Sequence, residues 1–310
     1  MKKIFLIYIS LLFLSLSAHA TEPDIDIRYD GIYLNHITLT QLKKIYQDYK
    51  YKDYIYMPDW QYPPIFLQSM PIDFETIKDT QKRNKLFLQI LIPLSLKLNE
   101  EITLERIEIN ELREIYNKTQ TLTLEQIKFL EEKATKYDIF TKLKDNQRYT
   151  FFFDKLHEKV DSIPPSLLIA SAAIESNWGT NRIATEANSL YREIAWYTNE
   201  GIKPQNENED NNYRYKIFPS LYDSMKSYAL KLNSDINYEM FRINRSRNRY
   251  KETPSLGRNI AHTLNSVSNL QNYAGILDYT ITFYELINID EAELAPLTLP
   301  NEKIKNVTKI

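Results

Sequence analysis

One stretch of the sequence sets a single carboxylate in otherwise apolar surroundings. It runs Ala172-Ala-Ile-Glu-Ser-Asn-Trp-Gly179, with Glu175 near the end of a short apolar helical segment that a glycine terminates. Burial penalises the charged form of a carboxylate, and the dipole at a helix C-terminus also disfavours negative charge. We therefore expect a raised pKa for Glu175, with Trp178 covering the group and excluding water. A carboxyl group kept protonated in this way can act as a general acid.

A protonated carboxyl group beside the leaving oxygen is what cleavage of a glycosidic bond requires. Lysozyme, in which a tryptophan keeps a glutamic acid neutral, follows the same logic. The competing interpretation of Glu175 is a buried side chain satisfied by an internal hydrogen bond or salt bridge. The Trp-Gly pair after Glu-Ser, and the aromatic and acidic segment that follows, favour catalysis. Ser176 has no histidine base in a recognisable triad pattern, which argues against a serine hydrolase.

The first twenty residues are predicted to be a signal peptide. Lys2 and Lys3 precede an apolar run over residues 4–16, and Ala18-His-Ala20 forms a small-x-small cleavage site. The apolar run is short for a membrane span. We therefore expect export to the periplasm or cell envelope, with no stable membrane insertion after cleavage.

Composition argues against several kinds of partner and cofactor. Loss of two lysines with the signal peptide takes the formal net charge from −2 to −4, so no basic field would attract nucleic acid. The chain has no cysteine, and its four histidines show no paired metal-ligand spacing. We expect no metal and no organic cofactor, and the oligomeric state stays open.

The mature chain is predicted to be mainly α-helical and to fall into four regions. Residues 21–72, which prolines interrupt, are interpreted as an extended N-terminal arm, and residues 73–145 as an N-terminal helical region. Residues 146–290 are interpreted as the catalytic domain and residues 291–310 as a loosely held tail.

Helical patterns predict three helices in the second region. The first starts at Asp73, ends near Glu100 and is kinked at Pro93, and the second covers residues 104–116. The third opens with the capping-box pattern Thr123-Leu-Glu-Gln126. Further helices are predicted at residues 146–159, 163–178, 220–232, 238–250, 255–267 and 273–287.

The hydrophobic period changes from helical to strand-like between Tyr191 and Phe218. Residues 194–198 and 213–218 predict an antiparallel hairpin, with a polar and acidic loop between the two strands. The aromatic residues on this hairpin are expected either to stack on sugar rings or to pack on the helical lobe: Trp196, Tyr197, Tyr213 and Tyr215.

Several blocks of the sequence, taken together, resemble the peptidoglycan N-acetylglucosaminidases of the flagellar and autolysin type. The resemblance extends from Asp73 to Ile289 and is strongest around the Glu-Ser-x-Trp-Gly motif. The blocks that carry it are Ile163 to Gly179, Asn181-Arg-Ile-Ala184, Asn188-Ser-Leu-Tyr191, Glu200-Gly-Ile-Lys-Pro204, Phe218 to Tyr228, Tyr238 to Arg242, and Asn272 to Tyr279.

This resemblance implies a lysozyme-like helical lobe with a small antiparallel β-hairpin lobe, and a cleft between the two lobes. It implies hydrolysis of the β-1,4 bond on the reducing side of N-acetylglucosamine in peptidoglycan. Glu175 aligns with the family's catalytic acid, and Tyr279 aligns with a tyrosine that lines the family's active site, so the resemblance implies a catalytic role for both. The side chains expected to bind the glycan strand are Trp178, Asn188, Tyr191, Trp196, Tyr213, Tyr215 and Tyr273.

The sequence departs from the family pattern at two positions. Arg192 stands where the family has a glycine, so the backbone after Leu190 is expected to differ. Arg214 stands where related sequences often carry a glutamate. A second carboxylate would then come from Glu193 or Glu200, or from the loop residues Glu207, Glu209 and Asp210. A remaining route is attack by the acetamido oxygen of the sugar itself, which needs Glu175 alone.

The sequence therefore predicts an exported endo-β-N-acetylglucosaminidase that acts on peptidoglycan glycan strands, with Glu175 as general acid. One alternative is a lytic transglycosylase, which also uses a single glutamate followed by serine. Another is a non-catalytic glycan-binding protein of the envelope. The arginines between 242 and 249 are interpreted as a solvated helix face with local ion pairs, in preference to a site for muropeptide carboxylates.

Overall fold

The computed structural model describes residues 24–55, 57–196, 200–204, 213–251, 256–268 and 270–298, most of which are helical. The predicted signal peptide lies outside the described residues. A mainly α fold with a small antiparallel pair of strands, predicted from the sequence, is confirmed. In the described part of the chain, no helix is both long enough and apolar enough to cross a membrane.

The segment before residue 73 is folded, in contrast to the extended arm that the sequence predicts. Its elements are β1 (Asp24–Arg28), β2 (Gly31–Asn35), α1 (Leu39–Asp48), β3 (Gln61–Tyr62) and β4 (Ile65–Leu67). Strand β2 pairs antiparallel with β1 and parallel with β4, so these three strands form one sheet. Prolines 63 and 64 lie between the short strands, where a missing backbone N–H does no harm. The tyrosines of this segment, Tyr51, Tyr54 and Tyr62, are buried in the core.

A single helix of 40 residues, α2 (Thr80–Thr119), replaces the first two helices predicted for the second region. Its N-cap is Asp79, whose side chain accepts a hydrogen bond from the Lys82 N–H at 3.1 Å. The expected cap, Asp73, instead accepts from the Leu39 N–H at 2.7 Å and ties α1 to this region. No glycine or proline stands between residues 100 and 104, so nothing ends the helix there. Pro93 is accommodated inside it, in a fully buried stretch.

The remaining α-helices follow α2, and most lie close to the predicted ranges. They are α3 (Leu124–Lys136), α4 (Asp145–Lys159), α5 (Pro165–Glu175), α6 (Arg182–Ala187), α7 (Leu221–Ser234), α8 (Glu239–Tyr250), α9 (Leu256–Ile260) and α10 (Tyr273–Phe283). The helix predicted for residues 255–267 is α-helical only over residues 256–260, and the helix over residues 182–187 was not predicted. The capping box of Thr123 and Gln126 at the start of α3 is present, as predicted. Strands β5 (Ile194–Trp196) and β6 (Tyr213–Tyr215) form the antiparallel pair of the predicted hairpin.

The predicted tail begins with residues that are held to the N-terminal segment. Strand β7 (Glu293–Leu294) pairs parallel with β3, and the Ala295 N–H donates to the Tyr62 carbonyl at 2.8 Å. The prediction of a loosely held tail is therefore wrong for residues 293–295. Residues 299–310 lie outside the described part of the chain.

Helix α5 is the centre of the molecule, and the carboxylate of Asp290 holds its first turn. Every residue of α5 from Pro165 to Ala173 is buried. Asp290 accepts hydrogen bonds from the Ser166 N–H at 2.9 Å, the Ser166 hydroxyl at 2.9 Å and the Gly257 N–H at 3.1 Å. Burial raises its pKa to about 6 although these donors oppose the shift. Asp290 therefore joins α5 to α9 at the end of the helix opposite Glu175.

We expect Asp290→Ala to lower the free energy of unfolding by about 2–4 kcal/mol, because three donors lose their buried acceptor. Urea unfolding followed by circular dichroism measures the difference. The matched control is Asp278→Ala, which removes a half-exposed ion pair with Arg258 and is expected to change stability by less than about 1 kcal/mol. Equal effects of the two substitutions would contradict a clamping role for Asp290.

Candidate active site

The turn after α5 fixes the backbone of Glu175. Residues 177, 178 and 179 follow with positive φ values of 51°, 58° and 74°. The Ser176 hydroxyl donates to the Ala172 carbonyl at 2.6 Å and accepts from the Gly179 N–H at 2.8 Å. The Asn181 side-chain amide donates to the Glu175 carbonyl at 2.8 Å. The serine of the Glu-Ser-x-Trp-Gly motif therefore shapes the turn that presents Glu175.

Trp178 anchors this turn in the core, whereas we expected it to cover the Glu175 side chain. Its ring contacts Phe87 edge-on at 5.9 Å and Tyr284 at 4.7 Å between ring centroids. A Cβ at Gly179 would lie 2.9 Å from carbons of Phe87 and Met70, so only glycine allows this approach. Trp178 does not line the pocket that contains Glu175. Its predicted role in sugar binding is replaced by a structural one.

Glu175 lies in a pocket of about 400 Å³ between the helical lobe and the β5–β6 strands. Five of the other residues that the sequence proposes for catalysis or glycan binding line the same pocket: Tyr191, Glu193, Trp196, Tyr215 and Tyr273. The sequence missed Arg192, Tyr228, Lys231 and Tyr238, which also line it. Tyr228 and Lys231 are three residues apart on α7, a spacing that places both on one helix face.

The pKa of Glu175 is raised, as the sequence predicts, because burial of its carboxylate outweighs two opposing effects. The positive charge of Arg192 and a hydrogen bond from the Tyr273 hydroxyl both lower the pKa of this group. Tyr273 is the first residue of α10 and is only 3% exposed. Burial, and then the charge of Glu175, raise the pKa of Tyr273, so its hydroxyl remains a donor.

Tyr279, which we expected beside Glu175 as a catalytic residue, lies on another face of α10. Its side chain is 62% exposed and stacks on Phe283 at 5.4 Å. Residues six apart on an α-helix point in directions that differ by about 120°. Tyr279 therefore lies off the helix face that carries Tyr273, and it is not among the residues that line the pocket.

The two candidates for a second carboxylate have different environments. Glu193 lines the pocket and is 7% exposed. Its Oε2 is 3.2 Å from the Lys216 ammonium and accepts from the Ser227 hydroxyl at 2.9 Å. Glu200 is exposed and is not among the pocket residues. The loop acids Glu207, Glu209 and Asp210 lie outside the described residues, as does Tyr197.

The β5–β6 strands present one aromatic face to two adjacent pockets. Ile194 pairs with Tyr215, Ala195 with Arg214, and Trp196 with Tyr213. Alternation along the strands places Trp196, Tyr213 and Tyr215 on one face and Arg214 on the other. Tyr213 lines a second pocket of about 320 Å³.

Tyr191 and Asn188 have mainly structural contacts. Tyr191 stacks on Tyr228 with ring centroids 4.1 Å apart, and its hydroxyl donates to the Leu168 carbonyl at 3.2 Å. Asn188 ends α6 with a φ of 51°, and its amide donates to the carbonyls of Phe218 and Pro219. It is not among the residues that line the pocket. Asn188 thus positions the chain next to the pocket.

Arg192 has a φ of 51°, in the left-handed region that favours glycine. Loss of the family's glycine therefore leaves a glycine-type conformation at this position, occupied by a cationic residue.

The prediction that the α8 arginines form a solvated helix face is wrong for Arg242 and Arg245. Arg242 and Arg245 are 2% and 1% exposed. Arg242 donates to the Leu232 and Asp235 carbonyls, and Arg245 to the Asn233 side chain and the Asp161 carbonyl. Burial lowers the pKa of Arg245 to about 10. These side chains hold α8 to the end of α7.

The family model that matches residues 152–288 is described as a glucosaminidase, mannosyl-glycoprotein endo-β-N-acetylglucosaminidase. Protein Bax of Escherichia coli (strain K12) is 29% identical over 187 residues, which are 60% of this chain and 64% of Bax. This chain thus spans less than two thirds of that relative. The catalytic domain of the autolysin Auto from Listeria monocytogenes matches with 18% identity and a TM-score of 0.32, over 58% of this chain and 96% of that domain. The family resemblance read from the motifs is confirmed.

We expect Glu175→Gln to unfold at a higher temperature than wild type at pH 7, by a few degrees. An acid whose pKa is raised by folding binds its proton more tightly in the native state, so its stabilising effect is lost as pH rises through the folded pKa. The amide carries no such charge. Thermal unfolding at pH 4 and pH 7 is the measurement, and the difference between the two proteins should shrink at pH 4. If Glu175→Gln were less stable than wild type at pH 7, the surroundings would stabilise the carboxylate, which would contradict its raised pKa.

Proposed function

We propose that the protein is an exported hydrolase of peptidoglycan that cleaves β-1,4 bonds next to N-acetylglucosamine. The match of residues 152–288 to a glucosaminidase family model supports this proposal. The observation that carries the proposal is Glu175, a half-buried acid with a raised pKa in a pocket walled by aromatic side chains. Aromatic faces provide broad apolar surfaces with polar edges, which suits the faces of sugar rings. The predicted signal peptide supports export to the periplasm or cell envelope.

Glu175 acts as the general acid and donates its proton to the leaving oxygen while the glycosidic bond breaks. The raised pKa keeps a larger share of the group protonated near neutral pH. Once the proton has left, the hydrogen bond from the Tyr273 hydroxyl stabilises the carboxylate that remains. Tyr273 therefore has the catalytic role that the family resemblance predicts for Tyr279.

Glu193 takes the role of the second carboxylate. It is the only described carboxylate that lines the pocket besides Glu175. The Lys216 ammonium and the Ser227 hydroxyl hold its Oε2 and so fix the orientation of the carboxylate. In this position Glu193 activates the attacking water or, in the substrate-assisted route, supports the sugar's acetamido group during its attack.

The bond that is cut is tested by mass spectrometry of sacculi digested with purified protein. We expect reducing N-acetylglucosamine ends from wild type, and a loss of at least about 100-fold in rate for Glu175→Gln, since general acid catalysis contributes 10²–10⁴. The matched control is Glu200→Gln, an exposed acid outside the pocket, which should digest at close to the wild-type rate. Anhydromuramic ends would identify a lytic transglycosylase. Failure of wild type to cut any glycan would leave only a binding role.

The assignment of Glu193 predicts that Glu193→Gln lowers kcat by about 100-fold while KM changes little. Its partners Lys216 and Ser227 contact Oε2, and an amide preserves the size of the side chain. Steady-state kinetics on soluble glycan strands, with circular dichroism to verify folding, provides the measurement. Wild-type kcat in the folded variant would exclude Glu193 and leave attack by the acetamido group with Glu175 alone.

A further inference from the structure

Two pockets of ligand size meet at the side chains of Arg192 and Tyr215. One contains Glu175 and has a volume of about 400 Å³, and the other has about 320 Å³. Both volumes fall within the range of small-molecule sites, roughly 300–1,000 Å³. Arg192 and Tyr215 line both pockets, so the two form neighbouring compartments of one groove. A polymer of sugars bound at Glu175 would extend from one compartment into the next.

The cation at this junction has no carboxylate within ion-pair distance among the described residues. Arg192 is exposed and makes no ion pair within 4 Å to any described residue. The other arginine of the second pocket, Arg182, is already engaged by Glu186 at 3.3 Å and by the Lys203 carbonyl. The guanidinium of Arg192 therefore offers donors that match a carboxylate in geometry and charge.

The backbone conformation of Arg192 also favours a functional role for this side chain. Arg192 adopts a φ of 51°, where a residue with a Cβ is less stable than glycine. Strained conformations of this kind persist where surrounding structure enforces them and occur preferentially at functional sites.

We propose that Arg192 binds a carboxylate carried by the sugar next to the one held at Glu175, so that the second pocket is a subsite for an acidic sugar. This inference rests on the proposed function, whose substrate is a glycan strand in which N-acetylglucosamine alternates with N-acetylmuramic acid. The muramic sugar carries a lactyl group that ends in a free carboxylate, or in a stem peptide with carboxylates of its own. The walls of the subsite are the rings of Tyr213 and Tyr215.

Binding of a carboxylate at Arg192 would act on the general acid as well. In the free protein, the charge of Arg192 lowers the pKa of Glu175 and so opposes protonation. A carboxylate paired with the guanidinium cancels most of that charge, and the pKa of Glu175 then rises further. The acidic sugar thus favours the protonated form of the group that must donate to the leaving oxygen.

The test compares Arg192→Gln and Arg192→Gly with the matched control Arg214→Gln. Glycine suits the left-handed backbone, so Arg192→Gly removes the cation without a risk to folding. Arg214 stands on the opposite face of the same strands and lines neither pocket. Four substrates are used: peptide-free glycan strands, peptide-bearing strands, peptide-free strands whose lactyl carboxyl is reduced to an alcohol, and chitin oligosaccharides.

We expect both Arg192 variants to lose about tenfold or more in kcat/KM on carboxylate-bearing strands and less than about twofold on reduced strands and chitin oligosaccharides. A loss confined to peptide-free strands identifies the lactyl carboxylate, and one confined to peptide-bearing strands identifies the stem peptide. The pH dependence of kcat is a second measurement. For wild type, kcat should fall at a higher pH on the glycan strands that show this loss than on chitin oligosaccharides. The Arg192 variants should show no such difference between substrates.

Two results would overturn the inference. One is equal losses on all four substrates, which would indicate a structural role, and the other is no loss on any of them or a similar loss for Arg214→Gln. If wild type cleaves glycan strands while the Arg192 variants match it, the subsite fails and the proposed function stands. If wild type cleaves none of the four substrates, the proposed function itself fails.

Discussion

Burial of one short helix determines where the chemistry of this protein can occur. Nine consecutive residues of α5 are buried, so the helix can neither slide nor rotate without disrupting the core. Its first turn is held by Asp290 and its last by the hydroxyl of Ser176. Glu175 is the residue at which α5 leaves the core. Its position is therefore determined by packing over the whole helix, and the turn after it only directs the side chain.

The protonation of Glu175 results from three competing contributions. Burial favours the neutral acid, while Arg192 and the Tyr273 hydroxyl favour the anion, and burial has the largest effect. A general acid needs both tendencies, because it must hold its proton before the reaction and remain stable after losing it. Arg192 and Tyr273 come from different elements, a loop residue after α6 and the first residue of α10. The balance therefore depends on the hairpin region and α10 keeping their places beside α5.

Local sequence predicted most helices and the position of Glu175, because caps, turns and apolar periods act over a few residues. The capping box at Thr123 and the hairpin strands are examples. Features that depend on distant partners were missed. The direction of Trp178 follows from three successive left-handed residues and from space beside Phe87 and Tyr284. The choice between Tyr273 and Tyr279 depends on the rotation of α10, which packing against α5 sets. Proline density in residues 21–72 suggested irregular chain, but the prolines separate short strands.

The parallel pairing of β3 with β7 bears on how this chain divides into parts. Residues 61–62 and 293–294 are hydrogen-bonded neighbours, and the Tyr54 hydroxyl also donates to the Tyr284 carbonyl at 3.1 Å. Tyr284 in turn contacts Trp178, on the turn that carries Glu175. The stretch that matches the glucosaminidase family model begins at residue 152, yet Tyr54, about a hundred positions earlier, contacts its core at Tyr284. The length of chain that matches the family model and the length that packs into this core are therefore different. Excision at the boundaries of the family-model match would remove Phe87, one of the two rings that contact Trp178 on the turn after Glu175.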